Sequence, residues 1–89
     1  MSLRFVLAVL LLVAVSTAAA QTQPARPGAP PQGMSCPISH PIKGNFTTYS
    51  GERCIHHLPG GGFYGKTRPE WCYASEAEAV KDGCRRSKR

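Results

Sequence analysis

Seven side chains in the later part of this chain could do thiol or metal chemistry: Cys36, Cys54, Cys72 and Cys84, with His40, His56 and His57 among them. They fall as Cys36-x3-His40 and Cys54-x-His56-His57. Neither Cys-x2-Cys nor His-x3-His spacing occurs, so the pattern is a poor one for zinc. A Cys–His nucleophile would need a free thiolate. Four cysteines within the 54 residues from Cys36 to Arg89 read instead as two disulfides, for which three connectivities exist. Neighbouring histidines on a strand face opposite ways, so His56 and His57 cannot act together. His57, just ahead of Pro59-Gly60-Gly61, is expected to hydrogen-bond loop backbone. Hydrolytic chemistry would have to draw on Glu52, Glu70, Glu76, Glu78 and Asp82, two of which sit at a helix start. The expectation is no catalytic residue, no metal and no cofactor.

Charge is the remaining chemical signal. Eleven Lys and Arg stand against five acids, a net charge of +6. Arg85, Arg86, Lys88 and Arg89 crowd the chain's end, and Lys66 and Arg68 lie beside Phe63 and Tyr64. Such groups can hold phosphate backbone, anionic polysaccharide or acidic headgroups. The plain alternative is a solvated tail that keeps a small domain soluble. The loop carrying His57, Phe63 and Tyr64 is a second surface, suited to a partner protein.

The elements that must position these groups begin after a leader. Residues 1–4 carry one positive charge, Phe5 to Val15 are apolar without interruption, and Ala18-Ala19-Ala20 fits the small-x-small cleavage rule. The apolar run falls short of the ~20 residues a spanning helix needs. A signal peptide over 1–20, cleaved after Ala20, is therefore expected, with a periplasmic or secreted mature chain and no membrane span in it. Its loss removes only Arg4, which leaves a net charge of +5. Residues 21–33 hold four prolines, two glycines and no large apolar side chain, the composition of an extended tether.

The domain is expected over 34–89. A chain so short is marginal without staples. Its core would gather around Trp71 from Ile38, Ile42, Phe46, Tyr49, Ile55, Leu58, Phe63, Tyr64, Tyr73 and Val80. Ile42 to Thr48 and Arg53 to Leu58 read as strands joined through Tyr49-Ser50-Gly51, and 58–62 as a tight loop. Ser75-Glu76-Ala77-Glu78 is a capping box, which starts a helix running to about Asp82 with Ala77 and Val80 on its packed face; Gly83 ends it. The fold class is α+β: a small disulfide-stapled domain with a short hairpin or sheet and one C-terminal helix.

The run Ile42-Lys43-Gly44-Asn45, Gly51-Glu52-Arg53, His57-Leu58-Pro59-Gly60, Tyr64, Thr67, Ser75-Glu76-Ala77-Glu78-Ala79 and Gly83-Cys84-Arg85-Arg86 resembles the sunset domain. That is a small bacterial module, found alone in exported proteins and as a C-terminal appendage of thermonuclease-like proteins. The resemblance implies that Cys36 and Cys72 pair, since cysteines before IKGN and before the SEAEA helix often occur together in relatives. Cys54 with Cys84 would then be an addition of this chain. The module is also similar to the zinc-binding domain of the Ada DNA-repair protein, whose cysteine positions fall here on His57, Gly61, Ser87 and beyond Arg89. Scaffold is implied by that likeness, metal and methyl transfer are not. The overall expectation is an exported non-catalytic binding or accessory module for polyanions, nucleic acid or cell-envelope polysaccharide. The alternatives are a zinc-held structural domain or a protein-interaction module.

Overall fold

The computed structural model describes residues 26–89. The expected leader and the first part of the expected tether lie outside them. Four short strands and one helix follow in the order β1 (Ile42–Asn45), β2 (Cys54–His57), β3 (Trp71–Tyr73), α1 (Glu76–Lys81) and β4 (Cys84–Arg86). They build a four-stranded sheet ordered β3-β1-β2-β4. The β1–β2 and β1–β3 pairs are antiparallel, and β2–β4 is parallel. This is the expected small α+β domain. Two strands were not anticipated, and the helix is not the last element.

Alternation along the strands sorts the side chains. Register partners Lys43, His57 and Cys72 share one face with Ile55 and Arg85. Ile42, Tyr73, Cys54, Cys84 and His56 share the other, with α1 over them. The core is Ile42, Cys54, Tyr73, Ala79 and Cys84, with Phe46, Leu58 and Trp71 packed against it. It centres on Tyr73 and a disulfide rather than on Trp71. Ile38, Tyr49 and Val80, expected inside, are 98%, 101% and 58% exposed. The helix turns Ala79 inward, one position from the expected face of Ala77 and Val80, both of which are exposed.

The two bridges are Cys36–Cys72 and Cys54–Cys84, with Cα–Cα distances of 5.8 and 4.3 Å. Cys54 and Cys84 are register partners on adjacent strands, so the second bridge pins β4 to the sheet. The first ties the 34–41 loop to β3. They span 36 and 30 residues, for which loop closure is worth on the order of 3–4 kcal/mol each. These bridges suit an oxidising compartment, in which such bonds persist.

Local chemistry starts and stops the helix. Ser75 is extended (φ −146°, ψ 162°), and its Oγ accepts from the backbone N–H of Glu78 at 3.1 Å. Glu78 reaches back one residue further than an ordinary capping box, accepting from the N–H of Ala74 at 2.9 Å. Asp82 caps the end and Gly83, at φ +97°, lets the chain reverse into β4.

Residues 26–33, expected as free tether, are docked. Ala29 exchanges backbone hydrogen bonds of 2.8 and 2.9 Å with Cys72 along the outer edge of β3. The indole Nε1–H of Trp71 donates to the carbonyl of Pro27 at 2.7 Å. The reason is the open edge: β3 has β1 on one side only, and a proline-rich segment can still satisfy its backbone groups. The domain therefore includes at least residues 26–33.

Candidate functional site: a basic cleft beside the glycine loop

The 58–67 loop descends through successive turns, Gly61 N to Leu58 O, Tyr64 N to Gly61 O and Thr67 N to Tyr64 O. Lys43 anchors it from beneath. The lysine is buried, and its Nζ donates to the carbonyls of Tyr64 (2.9 Å) and Thr67 (3.0 Å) while lying 4.5 Å from the Tyr64 ring centroid. Burial pulls its pKa below that of an ordinary lysine. His57, paired in register with Lys43, is expected from the sequence to hydrogen-bond loop backbone. Its Nδ1 is instead buried with no partner among the described residues. The longer lysine reaches the carbonyls, and burial with nearby His56, Lys43 and Arg85 lowers the affinity of His57 for a proton. Tyr64 is also committed inward, donating its hydroxyl to Pro41 O at 2.6 Å. Of the expected interaction loop, only Phe63 is exposed, at 42%.

The expected polyanion residues divide into two groups. Arg85 and Arg86 are not tail: they form β4, so they point to opposite faces. Arg85 forks onto Glu52 and Arg86 onto Glu76, each through two hydrogen bonds. These pairings hold both carboxyls at a pKa of about 2; Ser50 assists Glu52, and His56 Nε2, 2.8 Å away, assists Glu76. Lys66, Arg68, Lys88 and Arg89 are exposed and have no carboxylate partner among the described residues. Thr67 and Pro69 are buried, so the alternation of the chain turns Lys66 and Arg68 outward.

The other acids are equally occupied. Asp82 accepts from Arg26 at 2.9 Å and from the Tyr73 hydroxyl at 2.5 Å, and Arg53 stands 3.7 Å off. Glu70 caps the N–H groups of Phe46 and Thr47 and takes the Thr47 hydroxyl. Burial pushes Asp82 and Glu70 up, but these partners outweigh it and both end below the usual carboxylate range.

An open cleft of about 290 Å³ lies between the loop and the chain's last residues. Leu58, Pro59 and Gly61 form one wall and residues 86–89 the other. The Arg89 guanidinium sits 5.6 Å from the Phe63 ring centroid, which joins the two sides. Sequence reasoning found the cations but missed the Leu58–Pro59 wall; the Pro-Gly-Gly-Gly run marked only a loop. Among the described residues, no three His, Cys, Asp or Glu side chains gather as metal ligands, and no helix is long and apolar enough to cross a membrane. All four thiols are consumed in bridges.

The class of the molecule is thus a small, doubly stapled α+β domain with a basic cleft. Comparison with family models, with curated proteins and with solved structures found no match.

Proposed function

We propose that this chain is an exported, non-catalytic binding module that holds polyanions through Lys66, Arg68, Lys88 and Arg89. One observation carries the reading: every acid of the chain has an intramolecular partner, so the excess positive charge falls on exposed cations that do not, these four and Lys81 on α1. Arg85 and Arg86, part of the expected set, serve the sheet and the helix start instead. Export, with cleavage after Ala20, is supported by the leader's charge, its apolar run and its small residues, and two disulfides suit that destination. Membership of the sunset family belongs to the same reading and rests on the motifs quoted above.

Titrating the oxidised protein with short heparin fragments, at about 50 to 200 mM salt, tests it. Log affinity should fall linearly with log salt, as counterion release requires. The K66A/R68A/K88A/R89A variant should lose at least about tenfold at the lower salt, while Lys81→Ala changes affinity less than about twofold. Salt-independent binding, or none at the lower salt, would remove the proposal.

A further inference from the structure

The aromatic rings narrow the kind of polyanion. Proteins that hold single-stranded nucleic acid combine a basic groove with open aromatic faces, on which stacking is worth about 1–3 kcal/mol per base. Here a cation of the chain already lies over each ring but two. Arg26 lies 4.5 Å from the Trp71 centroid and 5.2 Å from that of Phe46, and Arg53 reaches Phe46 at 5.2 Å as well. Lys43 lies over Tyr64 and Arg89 over Phe63. Tyr73 is fully buried. Of the aromatic side chains described, only Tyr49 is bare, and it sits on the β1–β2 turn rather than in the cleft. A base stacking on the Phe63 face that Arg89 covers would have to displace that cation–π contact. Reading a duplex groove is equally ill served: α1 has six residues and an acidic first turn at Glu76 and Glu78.

We infer that the cleft takes an acidic polysaccharide, one carboxylate-bearing sugar at a time, and not a single-stranded nucleic acid. The inference rests on the polyanion reading above and names the ligand class for its Lys88 and Arg89 part, since Lys66 and Arg68 do not line the cleft. A volume of about 290 Å³ is at the small end for ligand pockets, suited to one ring rather than to a larger ligand. Leu58 and Pro59 offer an apolar wall to the C–H face of that ring. Across from them Lys88 and Arg89 supply the countercharge, and an arginine's planar fork matches a carboxylate. Arg86 lines the cleft too, but its guanidinium is already spent on Glu76.

Calorimetric titration of the oxidised protein with three probes of matched charge decides the matter: an oligogalacturonate, a thymidine decanucleotide and an abasic deoxyribose-phosphate decamer. The expected result is that oligogalacturonate binds at least as tightly as the decanucleotide. The two phosphate probes should agree within about twofold, since Arg89 already lies over Phe63, the exposed ring beside the cleft. The K88A/R89A variant, altered only at exposed positions, should bind oligogalacturonate at least about tenfold more weakly. If the decanucleotide outbinds either other probe by more than about threefold, the inference is overturned while the polyanion reading stands. An unchanged affinity in K88A/R89A overturns the assignment to the cleft. Binding to none of the three at low salt removes both readings together.

Discussion

At the scale of single residues, the domain is an exercise in disposing of charge. Five acids serve ten described cations, and the acids go where backbone or arginine forks need them. Among the buried basic groups, Lys43 and His57 lie side by side under the loop with no acid beside them. Both facts give stability the same dependence on pH. Glu52 and Glu76 stand at about 2 in the fold against an ordinary ~4.3. The unfolded chain therefore binds more protons as the medium is acidified. Their stabilisation is complete above pH ~4.5 and is lost as pH falls towards ~2. His57 is lowered as well, so its protonation opposes folding below the ordinary value of ~6.5. Melting temperature should thus be flat from pH ~7 to ~9, decline slightly below ~6.5, and drop steeply from ~4.5 downward. His57→Gln should flatten the first step, and Glu52→Gln should shrink the second. Circular-dichroism melts across that range are the check; a melting temperature that holds steady down to pH ~3 would contradict it.

At the scale of elements, the helix shows what one turn and a half can and cannot reveal. Its boundaries were legible because capping is local: Ser75, Glu78 and Gly83 satisfy or release backbone groups within four residues of themselves. Its buried face was not. Six residues carry too little of a 3.6-residue period, and the larger Val80 competes with Ala79 for the inward position. Ala79 takes that position, fully buried in one cluster with Tyr73 and the Cys54–Cys84 bridge. Ala79→Leu should therefore cost about 1–3 kcal/mol by overpacking. Val80→Ala should stay within about 0.5 kcal/mol. Urea titrations of the two variants compare them directly, and the reverse ranking would place Val80 inside. Strands β3 and β4 were illegible for a related reason. Trp-Cys-Tyr and Cys-Arg-Arg are three residues each, too short to alternate visibly, and they become strands only because β1 and β2 present open edges to them.

At the scale of the whole molecule, the docked segment before the sheet ties both ends of the domain together. Arg26 stacks on Trp71 and Phe46 and pairs with Asp82 at the helix end, while Ala29 extends the sheet beyond β3. Gly28 is the tightest point, at φ +101°, where an added Cβ would lie 2.4 Å from Trp71 Nε1. Gly28→Val should lift the segment off at a cost of about 1–3 kcal/mol. The single tryptophan reports it: loss of the Pro27 hydrogen bond and of ring burial should shift its emission to the red. An unchanged spectrum in a variant with unchanged stability would mean the segment is not held there.

The cysteine count, the turn between β1 and β2, the helix caps and the surplus of cations were all determined by the sequence alone, because each depends on composition or on neighbours a few residues apart. Which cations remain available was decided only in three dimensions. Arg85 and Arg86 look like a continuation of Lys88 and Arg89 until β4 turns them towards Glu52 and Glu76 on opposite faces of the sheet. The tether became part of the domain for the same reason, since an unpaired strand edge selects its partner by proximity in space and not by distance along the chain.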